Sequence, residues 1–357
     1  MAKRVVNESL QVTKSDNVLV YCNKQTIDLA EGLALECQKA GAHASVILST
    51  DALAYDVMLE RPIEFLETPN PFDMAGVDFA TIAIDMSGPE DPARLEKIAP
   101  ERWTALNKGN EPYLAKLLKS KQQAATIGLG LVTPQRAKAY GFDHRAWKDN
   151  VYAAVDVDYG EMRRVGTRLR TALETAKEIR ITNAAGTDLT GRIQGGQIRV
   201  DDGVINRKDI DRTIRGIDLP GGSVTVVPDL TSVKGTFVSD VGLPLFGKLF
   251  KGLSWKFDKG TIVSFQGREN IELLKGICAK GTGDKTKFGF IQIGLNPNAK
   301  TGFLHNWIAR GAVTVGIGEN RWYGGKNASS VSWAATSGST TLKLDNKTVV
   351  DKGKLVL

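Results

Sequence analysis

The feature that most restricts the fold is a change of texture near residue 156. Ahead of it, short apolar runs alternate with helical spacings. After it, short strands are punctuated by glycine turns. Val18-Leu19-Val20-Tyr21 is a continuous apolar run suited to a strand buried on both faces. The spacing over Ile27 to Ala40, closed by Gly41, predicts a helix. Ala44 to Leu48 reads as a second strand, Phe79-Ala80-Thr81-Ile82-Ala83-Ile84 as a third, and Ala124 to Val132 as a fourth. This alternation predicts a Rossmann-like α/β domain with a parallel sheet over residues 1–155. Ligands of such sheets lie beyond the strand carboxyl ends, which singles out Asp85 and Ser87 as substrate-binding candidates.

A long helix is expected from Asp156 to Lys177 as the connection, followed by an α+β domain with mixed or antiparallel sheet over 178–357. Glu178 to Asn183, Asp188 to Arg192 and Gln197 to Val200 read as short strands between Gly-rich turns. Ser254 to Phe257 and Thr261 to Gln266 form a hairpin around Asp258-Lys259-Gly260. Asn270 to Ala279 reads as a helix. Leu342 to Leu344 and Lys347 to Val350 form a terminal hairpin around Asp345-Asn346.

Composition removes several function classes. The net charge of +7 and pI of 9.1 come with acids interspersed among the bases, so no nucleic-acid surface is expected. The densest basic stretch, Arg163-Arg164 to Arg170, also carries Glu161 and Glu174 and reads as a solvated helix face. No apolar run approaches the roughly 20 residues that span a bilayer, and Met1 to Glu8 lacks the apolar core of a signal peptide. The expected compartment is the cytoplasm, with no membrane partner. Cys22, Cys37 and Cys278 share no close spacing, so neither a disulfide framework nor a zinc cluster is suggested. No segment fits a dinucleotide or P-loop fingerprint: Gly128-Leu129-Gly130 lacks the third glycine. His43, His144 and His305 have no partner three to five residues away, and His305 is the one candidate general base.

Several blocks of the second half carry a family resemblance. Asn327-Ala328-Ser329-Ser330-Val331-Ser332-Trp333-Ala334 resembles the N-x-S-x-x-H-W-D motif of aminopeptidase T-like metallopeptidases. Leu219-Pro220-Gly221-Gly222-Ser223-Val224 is similar to their P-x-G-E-V segment, and Ser232 to Thr236 to their S-V-x-G-T. Phe288 to Pro297 resembles G-E-x-x-x-G-x-N-P, and Ala309 to Gly318 resembles E-x-x-x-x-H-x-x-x-G. The resemblance implies metal ligands at six positions, where this chain has Ser223, Phe290, Ala309, Thr314, Ser332 and Ala334. It extends to 2,5-dihydroxypyridine 5,6-dioxygenase, an iron enzyme whose ligands would fall on Phe290, Ser332 and Ala334. Hydroxyl, methyl and phenyl groups do not replace the carboxylate and imidazole donors that hold zinc or non-haem iron.

The resulting expectation is an aminopeptidase T-like scaffold with no metal and no other cofactor. Its activity would be metal-independent hydrolysis or ring opening of a small aromatic or heterocyclic amide or acid. Ser223, Ser332, Glu319 and His305 are the catalytic candidates. Asp240, Phe290, Thr314, Arg321, Tyr323 and Lys326 join Asp85 and Ser87 as substrate-binding candidates. Two alternatives stay open: a non-catalytic ligand-binding descendant, and a metalloenzyme with relocated ligands. The relatives imply a homo-oligomer acting on a small-molecule substrate.

Overall fold

The computed structural model describes residues 1–206, Asp209 and 215–357. The chain divides into two compact units: Met1–Val151 with Gly203–Pro220, and Tyr152–Asp202 with Gly221–Leu357.

The first unit is built on a five-stranded parallel sheet. Its strands lie in the order His43–Ser49, Asn17–Asn23, Ile82–Asp85, Gln123–Ile127, Gly216–Leu219. The alternation in the first half of the chain thus appears as a parallel sheet with helices. The helix Ile27–Lys39 buries Ala30, Leu33 and Cys37, a helical stripe, and packs on the first two strands. The third strand is shorter than its apolar run suggests, because Pro71–Phe79 is a helix. Asn70 caps that helix through Phe72 N (3.0 Å) and Pro71 opens it, so Phe79 ends a helix and is exposed. The fourth strand stops at Ile127, where Gly128–Leu131 turns into a 3-10 segment. The fifth strand, Gly216–Leu219, comes from far along the chain.

Two helices, His144–Val155 and Tyr159–Thr175, lie here, and the second is the connecting helix expected over 156–177. Asp158 caps the second through Glu161 N at 3.0 Å, which is why the chain breaks there. In the second unit an eight-stranded antiparallel sheet runs from Thr261–Gln266 through Ser254–Asp258, Lys234–Val238, Asp188–Arg192 and Glu178–Thr182. It continues through Thr341–Leu344 and Lys347–Asp351 to Lys354–Leu355. Both expected hairpins are present, with Lys259 and Asp345 in the left-handed region at their turns. A five-stranded antiparallel sheet has the order Ser332–Ser337, Val313–Gly318, Phe288–Gly294, Ser223–Val227, Gln197–Asp201. One face of it is apolar and carries Trp333, Phe288, Val315, Ile293 and Val224. Phe288 meets Phe257 of the eight-stranded sheet edge-on at 5.0 Å, and Trp333 meets its Phe265 at 6.4 Å. Among the described residues no helix is long and apolar enough to cross a membrane.

The segment leaving Phe288–Gly294 has no regular structure and is organised by two asparagines. Asn296 is fully buried. Its Nδ2 donates to Ala154 O and Gly221 O (both 2.8 Å), and its Oδ1 accepts from Asn298 N (3.0 Å) and Ala299 N (3.1 Å). Asn306 holds Gly302 N and Phe303 N in the same way. His305 lies beside it, edge-on to Trp307 at 5.1 Å, with a buried Nδ1 that has no hydrogen-bond partner.

Two predictions follow from this segment. Asn296→Ala leaves two buried carbonyls and two partly buried amides without their partner, each buried group costing roughly 1–3 kcal/mol. Denaturant titration should therefore show a loss of about 3 kcal/mol or more; a loss under about 1 kcal/mol would mean water replaces the side chain. Burial lowers the His305 pKa from 6.5 to about 4, so the folded protein keeps the ring neutral where the unfolded chain protonates it. That contribution is complete above the unfolded pKa and is lost as pH falls from 6.5 through 4. His305→Phe should reduce the acid-side loss of stability over that window in paired titrations at pH 7 and 4.5; an unchanged loss would contradict a buried neutral ring.

Candidate functional site

The second face of the five-stranded sheet gathers what the sequence scattered. Strand register places Arg199, Thr225, Gln292, Thr314 and Thr336 opposite one another in a single row across all five strands. Cross-strand partners share a face, so this is a continuous polar stripe in a sheet whose other face is apolar. Asp201, Ser223 and Gly294 form the next row on one side. Phe290, Gly316 and Ala334 form the next on the other, followed by Gly318 and Ser332. Five of the six positions singled out by the family resemblance therefore share one face: Ser223, Phe290, Thr314, Ser332 and Ala334. Ala309 lies outside the strands, in an isolated bridge to Asn296.

A bulge makes this arrangement possible. Phe288 pairs with Ile317 and Phe290 with Gly316, leaving Gly289 as an extra residue. Without it Phe288 and Phe290 would point the same way; with it Phe288 enters the apolar layer and Phe290 the polar face. The Phe290 ring lies where a Gly316 side chain would be, since a Cβ there would come within 2.2 Å of its Cε1. The ring is 4% exposed and packs on Tyr323 at 4.4 Å between centroids.

The retained motif residues hold the loop that supplies Tyr323. Asn320 Nδ2 donates to Gly289 O at 2.9 Å and pins the bulge, while its Oδ1 accepts from Asn327 N. Asn327 Nδ2 donates to Phe288 O (2.9 Å) and Gly318 O (3.1 Å). Glu319 is buried and accepts from Arg321 N, Nε and Nη2 and from Ser329 N, at 2.7–3.1 Å. The two candidates Glu319 and Arg321 are thus joined as an anchored ion pair that shapes the loop. Lys326 on the same loop is exposed.

Within the stripe, polar groups answer one another. Gln292 Nε2 donates to Ser223 Oγ at 2.8 Å, and the Thr314 and Thr336 hydroxyls are 2.8 Å apart. Ser223, Thr225, Gln292, Thr314 and Thr336 are all buried, whereas Ser332 on the edge strand is exposed and Ala334 half-buried. The open end has a cation and an aromatic ring: the Arg199 guanidinium lies 5.7 Å from the Tyr323 centroid, and its Nη1 donates to Trp322 O at 3.1 Å. Trp322 is exposed.

Asp240 and His305 lie outside the strands of this face. Asp240 accepts from Ser337 Oγ (2.9 Å), Gly338 N (2.8 Å) and Ser339 Oγ, closing a turn after the edge strand. His305 sits in the loop described above. Asp85 and Ser87 belong to the first unit, where Asp85 Oδ1 accepts from Ser87 N (2.8 Å) and Oγ (2.5 Å). All three cysteines are buried, and burial pushes the Cys37 thiol up to about 11. Sequence reasoning missed Arg199, Asp201, Thr225, Gln292 and Thr336. Their signal was a lone polar residue in an apolar strand, as in Val224-Thr225-Val226 and Ile291-Gln292-Ile293.

The side chains at the six positions do not fit a divalent cation. None is a carboxylate, imidazole or thiolate, and among the described residues no three of His, Cys, Asp and Glu cluster as a ligand set.

The whole fold is similar to that of wild-type AmpT from Thermus thermophilus, with a TM-score of 0.75 at 16% identity over 100% of this chain and 98% of that one. It is also similar to 2,5-dihydroxypyridine dioxygenase from Pseudomonas putida KT2440, with a TM-score of 0.64 at 16% identity, covering 99% and 95%. No curated protein sequence matches the chain. The sequence profile of the thermophilic metalloprotease (M29) family matches residues 1–286, ending just before the strand that carries Phe290. The chain is therefore a member of the thermophilic metalloprotease (M29) family.

Proposed function

We propose that this member of the family works on a small aromatic or heterocyclic acid or amide without the family's metal. The observation that carries the reading is the composition of the polar face: hydroxyls and a carboxamide at and between the ligand positions, with Phe290 filling another. Such groups orient a polar ligand by hydrogen bonds and shape. The Arg199–Tyr323 end suits an aromatic acid, because a ring can stack on Tyr323 or Trp322 while the guanidinium receives the carboxylate.

Hydrolysis or ring opening is the reaction class that this face and its relatives suggest. Ser223 is the hydroxyl best set for it. Gln292 donates to its Oγ, leaving the hydroxyl proton free to be given away, and Asp201 stands directly across the strand ladder. The Asp201 carboxylate would take that proton as Oγ attacks the amide carbonyl and pass it to the nitrogen that leaves as the C–N bond breaks. Water would then attack the acyl-serine, its proton returning through Asp201 to Oγ, and the Gln292 amide would donate to the oxygen that carries the developing charge. A second reading, ligand binding without turnover, is favoured by one observation: Ser223 is 1% exposed and its neighbours satisfy one another. A homo-oligomer is expected under either reading.

The test is a thermal-stabilisation screen of aromatic and heterocyclic acids and amides, followed by turnover assays of the compounds that bind. Arg199→Ala should weaken acid binding by about tenfold or more. Ser223→Ala and Asp201→Asn should abolish turnover while keeping binding. Turnover that survives Ser223→Ala contradicts the catalytic assignment, binding with no turnover selects the second reading, and acid binding indifferent to Arg199 contradicts both.

A further inference from the structure

Among the described residues of the first unit, the buried cation Arg136 stands in no ion pair. The unit's strand order sets Ile82–Asp85 beside Asn17–Asn23, the arrangement in which the crevice at the carboxyl ends of those strands receives a ligand. The segment after Asp85 crosses this crest, and Arg136 reaches under it from the helix Pro134–Tyr140. The Arg136 side chain is 6% exposed; its Nε donates to Pro89 O at 2.7 Å. Gly88, at φ +145°, lets the backbone pass close by, since a Cβ there would come within 3.0 Å of Arg136 Nη2.

Among the described residues no carboxylate forms an ion pair with Arg136. Asp51, whose charge also reaches it, has its two oxygens occupied by Glu90 N (2.9 Å) and Asp91 N (3.1 Å). Burial lowers the guanidinium's pKa, the expected result of desolvating a cation. A second group nearby is also unsatisfied. Tyr55 is 1% exposed, its hydroxyl has no hydrogen-bond partner, and the charges of Asp51, Asp91 and Arg136 all reach it. Arg94 covers the Tyr55 ring at 4.4 Å and adds a second cation.

A buried charge costs several kcal/mol unless it is paired, and an orphaned hydroxyl roughly 1–3 kcal/mol. A phenol oxygen can accept from a guanidinium, but the phenol proton and the remaining guanidinium N–H groups then still need an acceptor. An oxygen anion satisfies both. We propose that the first unit carries an anion site of its own, in which Arg136 and the Tyr55 hydroxyl together grip one oxyanion group, carboxylate or phosphate, of a small molecule. The site is built from residues of the first unit and does not depend on the reading given to the polar face of the second.

The experiment is calorimetric titration of the full chain with inorganic phosphate and with acetate, at constant ionic strength set by chloride. Saturable binding of one or both is expected, and which anion binds tells phosphate from carboxylate recognition. Arg136→Met should remove it. Because that variant alters a buried contact, Tyr55→Phe is the decisive control. The hydroxyl has no partner in the free protein, so its loss should leave the melting temperature unchanged or higher, yet weaken anion binding about tenfold. Absence of saturable binding by either anion, or binding that Tyr55→Phe leaves unchanged, overturns the proposal.

Discussion

One extra residue in one strand governs how the five-stranded sheet presents its chemistry. Gly289 lets Phe288 turn into the aromatic contact with Phe257 while Phe290, two positions on, turns to the opposite face. Asn320 donates to the Gly289 carbonyl and Asn327 donates to the carbonyl before it, so the bulge and the loop bearing Tyr323 are held by the same pair of amides. From that point the register is fixed across five strands, because a slip of one residue would exchange the apolar and polar faces. The stripe from Arg199 to Thr336 is a consequence of this register.

Retention of Asn327, Ser329 and Trp333 has a structural explanation that owes nothing to a metal. Asn327 rivets the loop to two strands, Ser329 donates its amide to Glu319 and accepts from Val331 N, and Trp333 is buried between aromatic rings. These residues shape the frame of the site, while Ser332 and Ala334 between and beyond them face the polar side. A frame that serves packing persists even where the residues it frames have changed.

Much of the architecture was legible because periodicity is a local signal. The parallel strands, the Gly-rich turns and both hairpins follow from apolar spacing and turn chemistry. The departures were local as well. Asn70-Pro71 is a helix start that outweighs the apolar run reaching Phe79, and the Asp158 cap starts the long helix at Tyr159 rather than at 156. What no local pattern carried was partnership: that Gly216–Leu219 joins the parallel sheet, that Arg199 lines up with Gln292, or that Phe290 needs a glycine at 316. Five of the six residues chosen by motif position share a face, Ala309 lying outside the strands; those chosen by charge, such as Glu319 and Asp240, are engaged in holding loops.

The central physical claim concerns donor chemistry: the six positions carry hydroxyls, methyls and a phenyl ring, and Asp201 alone on this face is too small a donor set to grip a divalent ion. Metal-binding titration of the chelator-treated protein with zinc, manganese and iron(II), monitored by equilibrium dialysis and elemental analysis, tests it most directly. The account predicts no stoichiometric site of micromolar or tighter affinity, and ligand stabilisation indifferent to chelator. One tightly held ion per chain, lost on substitution of Ser223 or Thr314, would contradict it.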